Sequence, residues 1–277
     1  GEALVVPLYS TQGGNDTYIH IVNTTSQYKA VKVRMLEGNE SLETLDFNLY
    51  MSPQDHFSFA ITADDEGALL RTGDNSCTVP AITGDVPFTD LLWAETVGAA
   101  EGREQMGYVE VIEMGQIDPD SATAADILHA NGVPGDCAQL VANWSVTAGV
   151  EGAWYSEASA ELVDTGSDDA SVGTTDFIAD WNGGGLYGVG TVINVAEGTA
   201  FGFDAVAIED LVGAGESGSV LHYAPGDTRP DFDDAAMSLT ANVNVDGVQT
   251  VYTGSVTAPV HAVSAVFMTS SISNDYV

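Results

Sequence analysis

Three runs of carboxylates are the residues best equipped for chemistry in this sequence. Asp64, Asp65 and Glu66 are consecutive, Asp164, Asp168 and Asp169 flank TGSDDAS, and Asp227, Asp231, Asp233 and Asp234 crowd GDTRPDFDD. Ca²⁺ takes about six to eight oxygens from carboxylates and carbonyls on a bendable loop, so each run is a candidate Ca²⁺ ligand set. The last is the strongest, because four carboxylates so close repel one another without a cation. Arg229, inside that run, offers part of the same compensation. None has EF-hand spacing: Ala235 takes a ligand position and the required glycine is missing. The alternative for each is a solvated acidic loop.

Nucleophilic and zinc chemistry find little support. GESGS, residues 215–219, misses the G-x-S-x-G elbow by one position and has Ser219 where a protease loop has glycine. His20, His56, His129, His222 and His261 make no H-E-x-x-H pair. GGGLYGVG leads into the strand-like TVINV, so it is not a phosphate loop. Its glycines fit a bend or close backbone packing instead.

Positive charge is unevenly spread. The chain has six Lys and Arg against 41 Asp and Glu, and Lys29, Lys32 and Arg34 sit together on YKAVKVRML. Val31, Val33 and Met35 point one way, Lys32 and Arg34 the other. Two readings follow. In one, the cations pair locally with Asp46, Glu37 and Glu40, which contributes little at a surface. In the other, they form a basic patch that meets the acidic surface of the next copy. Such a heterologous contact, repeated, builds rings, lattices or fibres. The second reading predicts that Lys32→Glu with Arg34→Glu blocks assembly and leaves the monomer folded.

The formal net charge is −35, yet the apolar fraction is an ordinary 44%. That combination indicates a folded protein with an acidic skin rather than a disordered chain. Such a skin disfavours nucleic acid and anionic lipid, whose phosphates require Lys and Arg. It suits high salt, which screens self-repulsion, and a supply of Ca²⁺; seawater offers both. No run of about 18 apolar residues marks a membrane span. The chain starts at Gly1 with no basic segment leading into an apolar run, as in a mature chain after signal removal or in any excised piece. Cys77 and Cys137 fit one disulfide and an oxidising compartment, with two buried thiols as the alternative.

These residues must be positioned mainly by strands. Period-two alternation runs through YKAVKVRML, LDFNLYM, HFSFAI and GYVEVIEM. Pro7 in ALVVPLY signals an edge strand or a bulge. DPDSATAADILHANGVP reads as a helix with Asp118 as N-cap and Pro119 at N1, stopped by Gly132 and Pro134. Asp136 caps a second, with Cys137, Leu140, Val141 and Trp144 on one stripe. From about residue 147 strands return: AWYSEASAELV, GLYGVGTVINV, SVLHYA, MSLTANVNV, QTVYTGSV and AVSAVFMTSSI, with Asp246-Gly247 as a hairpin turn. The expected fold is mainly β: β-sandwich lobes, Ig-like or jelly-roll-like, with a short helical connection near 118–144. The expected division is an N-terminal β lobe over 1–115, the connection over 116–146 and a second β lobe over 147–277, with one continuous sandwich as the alternative. SSISNDYV still reads as strand, so the native chain is expected to extend past Val277 or to pair that strand with another chain.

Several segments resemble, in order and spacing, a family of secreted cell-surface proteins of marine and environmental Proteobacteria that includes the surface-layer (S-layer) proteins of marine gammaproteobacteria. They are ALVVPLYSTQGGNDTYIHIVNTT, KAVKVRMLEGNES, LDFNLYMSP, CTVP, GYVEVIEMG, NGVPGDC and GLYGVGTVINVAEGTA. The resemblance implies a non-enzymatic, β-rich subunit of a two-dimensional coat outside the outer membrane, assisted by Ca²⁺. Its partners would be copies of itself and outer-membrane lipopolysaccharide or another surface glycan. The competing reading is an extracellular adhesin or carbohydrate-binding module that uses Trp154, Tyr155, Trp181 and Tyr187, unless those rings are core.

Overall fold

Alternation of apolar and polar residues becomes paired strands through much of the described chain. The computed structural model describes residues 1–65, 67–91, 102–155, 174–178, 181, 183–209, 220–230, 238–245 and 248–255, the last two stretches by backbone alone. The strands of the first half are β1 (Ala3–Ser10), β2 (Asn15–Asn23), β3 (Tyr28–Glu37), β4 (Glu43–Met51), β5 (His56–Asp64), β6 (Gly67–Arg71), β7 (Cys77–Val79), β8 (Val86–Pro87) and β9 (Met106–Ile117). Those that follow are β10 (Val146–Thr147), β11 (Val150–Glu151), β12 (Leu186–Asn194), β13 (Thr199–Asp204), β14 (Val206–Glu209), β15 (Ser238–Val245) and β16 (Val248–Ser255).

Two antiparallel sheets result. One has eight strands in the order β16-β15-β14-β1-β9-β3-β4-β7, the other six in the order β13-β12-β2-β5-β6-β8. They pack as a β-sandwich over Leu4, Val6, Ile19, Ile21, Val31, Val33, Phe47, Phe57, Phe59, Val109 and Val111, all buried. β12 pairs with β2 over nine residues, and β14 pairs with β1. Strands from before 115 and after 146 therefore share both sheets. β10 and β11 form a separate two-stranded hairpin. Pro7 lies in an interior strand, where the pairing of β1 with β9 shifts register between Val6 and Tyr9; this is the bulge rather than the edge.

The eight-stranded sheet has a second apolar layer on its other face. Ala30, Tyr50, Cys77, Met114 and Ile117 meet α1 (Ala122–Ile127), α2 (Cys137–Asn143), Trp154 and Phe177 there. α1 begins three residues later than the sequence predicts. Ser121 is the N-cap, accepting from Ala124 N at 3.1 Å. Asp118 instead extends β9, donating its N–H to Asp176 O, while its own carbonyl accepts from Ser121 N. The expected cap is thus used as a turn. α2 is capped by Asp136 as predicted and buries Leu140. The helix stop comes at Leu128, ahead of Gly132.

Strands are found at Leu186–Asn194, Ser238–Val245 and Val248–Ser255, and β15 meets β16 with Val245 opposite Val248. The expected turn at 246–247 and the expected strand at 262–272 lie outside the described residues. So does most of AWYSEASAELV, while the described part of SVLHYA is not a strand. The glycines of GLYGVG work by close packing. A Cβ on Gly188 would sit 3.1 Å from Leu4 Cδ1, and one on Gly190 would enter the Phe203 ring.

Cys77 and Cys137 form a disulfide with Cα atoms 5.0 Å apart, fastening α2 to the edge strand β7. It closes a loop with a sequence separation of 60, which on the chain-entropy account stabilises the fold by about 4 kcal/mol. Cys77→Ala with Cys137→Ala should lower the free energy of unfolding by about that amount in urea titration. Reductant should then shift the wild-type midpoint and leave that of the variant in place.

Candidate functional site

Every Lys and Arg of the chain is described, and each makes an ion pair with a carboxylate of the same chain. β3 supplies three of them. Lys29 meets Glu113 of β9, and both side chains are fully buried. Glu113 also accepts from Gly184 N at 2.8 Å. Burial pushes the Glu113 carboxyl up, and Lys29 and the Gly184 N–H draw it back. Lys32 Nζ lies 3.1 Å from Asp46 Oδ2, 2.9 Å from Ala224 O and 3.1 Å from Asp227 O. Burial lowers the pKa of this ammonium and Asp46 opposes that. Arg34 donates to Glu43 at 2.8 Å and to Glu110 at 3.1 Å.

Lys29, Lys32 and Arg34 therefore do not form the exposed assembly patch expected of them. Their residues are 0%, 0% and 6% exposed. Lys32 and Arg34 lie opposite Val31 and Val33 as alternation requires, but that face is itself covered, and Lys29 is buried with Glu113 on the other side. The segment 220–230 lies across it: Leu221 N donates to Met114 O, Asn48 Nδ2 to Tyr223 O at 2.9 Å, and Gly226 N to Asp46 Oδ2 at 2.8 Å. Local pairing with Asp46 is what β3 uses. Glu37 and Glu40 are held instead by Arg103, at 2.7 and 2.9 Å.

The carboxylate runs fare differently. Asp64 and Asp65 are exposed at the end of β5. Glu66, Asp164, Asp168, Asp169, Asp231, Asp233 and Asp234 lie outside the described residues. Asp227 is described, and Arg229 takes its carboxylate by Nε at 3.1 Å, Nη2 at 2.9 Å and backbone N at 2.9 Å. Burial acts to raise the Asp227 carboxyl, but Arg229 prevails and holds it below the usual value. Arg229 also lies 4.5 Å over the Tyr223 ring. Among the described residues no three His, Cys, Asp or Glu side chains converge to hold a metal ion.

One constellation escaped sequence reasoning. Ser52, Asp55 and His129 are in contact, the types of a nucleophilic triad. The geometry differs from one. Ser52 Oγ at 2.9 Å and Asp55 Oδ2 at 3.4 Å both face the same ring nitrogen, Nδ1, and Ser52 is buried. A triad base takes the serine proton on one nitrogen and is oriented by the carboxylate through the other. Asp55 also accepts from Ser52 N at 3.0 Å, so the group locks the turn between β4 and β5. His222 is fully buried. Tyr50 Oη bonds its Nε2 at 2.8 Å and accepts from Trp144 Nε1 at 3.0 Å, with Trp154 and Phe177 rings 4.9 and 4.8 Å away. This is a polar-aromatic core; burial raises the pKa of the Tyr50 hydroxyl.

The rings proposed for glycan contact divide. Trp154 and Trp181 are buried and belong to the core, Tyr155 is half-buried, and Tyr187 is 47% exposed. Tyr18, 42% exposed, was missed. Its signal was the alternation in TYIHIV, which turns Tyr18 and His20 away from buried Ile19 and Ile21. An open groove of about 570 Å³ separates Leu8, Ser10 and Met106 from Val192, Asn194 and Phe201 between the two sheets. Compared with known proteins, the chain matches no family model, no curated protein and no solved structure.

Three outcomes follow from this charge layer. Lys29→Met alone should cost about 3–5 kcal/mol, because Glu113 is left buried without its counter-charge. Lys29→Met with Glu113→Leu should recover most of that loss, whereas simple additivity in urea titration would contradict a coupled buried pair. Lys32→Glu with Arg34→Glu would set carboxylates against Asp46, Glu43 and Glu110, so the monomer itself is affected.

The third concerns Glu37. Burial acts to raise its carboxyl, but Arg103 and the N–H groups of Leu42, Asn39 and Glu40 overcome this and hold it at about 2, below its usual 4.5. The folded pKa is depressed, so the stabilisation is present above 4.5 and is lost as pH falls through about 2. Glu37→Gln should lower stability at neutral pH and flatten the pH dependence of unfolding between those values. An unchanged slope in that window would contradict the assignment.

Proposed function

We propose that this chain is a structural subunit of a secreted surface layer, non-enzymatic, whose acidic copies are drawn together on the outer cell surface by divalent cations such as Ca²⁺. The observation that carries this reading is the confinement of all six cations to intramolecular ion pairs within a chain of net charge −35. Two such surfaces repel each other. Monovalent salt screens that repulsion, but only a multivalent cation can be ligated by carboxylates of both copies at once. The reading thus differs from the expectation of opposite-sign surfaces: attraction comes from the medium. The disulfide supports an oxidising compartment, and the segments set out above that resemble S-layer proteins support the coat.

Purified chain in millimolar CaCl₂ should form sheets or tubes by electron microscopy, with scattering that chelator reverses. NaCl at matched ionic strength should not reproduce them. A chain that stays monomeric at high concentration in CaCl₂, or that assembles equally in NaCl, would overturn the proposal.

An adhesin is the second reading, favoured by one observation: Tyr18 and Tyr187 stand exposed on the outer face of the six-stranded sheet.

A further inference from the structure

The outer face of the six-stranded sheet is set by three registers. Ser58 of β5 lies opposite His20 of β2, His20 opposite Val189 of β12, and Val189 opposite Asp204 of β13. These four residues form one row across four strands. Their neighbours in sequence, Ile19, Ile21, Phe57 and Phe59, are buried between the sheets, so the row faces outward. Tyr18 lies two residues from His20 on one side of the row, and Tyr187 two residues from Val189 on the other. Tyr18 pairs with Thr191, four residues from Tyr187. At strand spacings the two rings are rooted about 14 Å apart on a diagonal.

The polar groups of the row are already oriented. His20 Nδ1 bonds Ser58 Oγ at 2.8 Å, which leaves Nε2 on the exposed side of the ring. Tyr187 Oη donates to Asp204 Oδ1 at 3.3 Å, which steadies the tyrosine on its platform. The other described charges near the row are Asp16 and Asp64 at one end, the Arg71–Asp85 pair on the β6 side, and Asp74, whose Oδ2 accepts from Ser58 N at 3.2 Å. Between the carboxylates of Asp204 on β13 and Asp74 beside β5, the residues Tyr18, His20, Tyr187, Val189 and Thr191 carry no acidic group, in a protein that is otherwise strongly acidic.

We propose that this face docks a neutral polysaccharide chain. A sugar ring presents polarised C–H bonds on one side, which suit the negative face of a tyrosine ring. Its hydroxyls both donate and accept, as do the imidazole and serine of the row, while the Asp204 carboxylate accepts. Two aromatic platforms about 14 Å apart suit an oligosaccharide rather than a single sugar. The charge balance selects against an anionic polymer, which the protein repels, and leaves an uncharged one. The proposal does not depend on cation-driven assembly, because it concerns the monomer.

The test therefore uses monomer in chelator. It is titrated calorimetrically with neutral gluco-, manno- and galacto-hexaoses, with polygalacturonate as the anionic contrast. At least one neutral series should bind. Tyr18→Ala and Tyr187→Ala should each weaken it by about tenfold or more, whereas Tyr18→Phe and Tyr187→Phe should keep it within a few-fold. NMR signals of the Tyr18, Tyr187 and His20 rings should shift on titration of the wild-type chain, a readout that needs no variant. Binding to no neutral hexaose at millimolar concentration, binding to polygalacturonate alone, or binding indifferent to both alanine substitutions would overturn the proposal. Loss of Ca²⁺-driven sheets with glycan binding intact would count against the assembly reading only.

Discussion

Neutralising a buried cation layer is the constraint on which the rest of this structure depends. Lys29, Lys32 and Arg34 lie within the fold, and a buried ammonium or guanidinium is costly unless it is paired and hydrogen-bonded. Each has a carboxylate from a neighbouring strand: Glu113 and Glu110 from β9, Asp46 and Glu43 from β4. The order β9-β3-β4 in the large sheet brings these partners together. A sheet that placed β3 elsewhere would leave three positive charges in low dielectric. In so acidic a sequence the few cations act as register pins for the central strands.

The second face of the large sheet follows from the same requirement. Charged side chains there would normally face water, and a strand with alternating Val and Lys ordinarily has one wet face. Here α1, α2 and the segment 220–230 cover it, and Lys32 reaches through to the carbonyls of Ala224 and Asp227. The disulfide holds α2 at the β7 edge, and Tyr50, Trp144, Trp154 and His222 fill the space beneath. The outer face of the smaller sheet carries Tyr18, His20 and Tyr187 in the open. The two faces of the sandwich are therefore chemically unlike, one closed over ion pairs and one open with aromatic rings.

Much of this was legible in the sequence. Period-two alternation located β3, β4, β5 and β9, because one face of each is apolar. Asp136 announced α2 because its side chain competes for a backbone N–H wherever a helix starts. The fate of β3's cations was not legible, since the carbonyls that meet Lys32 come from residues 192 and 195 positions away and alternation says nothing about what lies over a face. The α1 start was misplaced for a similar reason: Asp118 is bonded to Asp176, a partner distant in sequence. Tyr18 was not legible as a contact residue, because alternation shows which residues share a face of β2 but not that its outer face stays open. Asp227 was read correctly in one respect: Arg229, two residues on, was named as a source of compensation.

The confinement of every cation has a bearing on durability. Proteases that cut after lysine or arginine need that side chain and its flanking backbone drawn out into their cleft. Lys29, Lys32 and Arg34 are embedded in a central strand, and Arg103 is clasped by two glutamates. Arg71 is the most open of the six and lies on a strand. A molecule so built gives tryptic enzymes few footholds while folded, and amine-directed chemistry finds both lysines shut away.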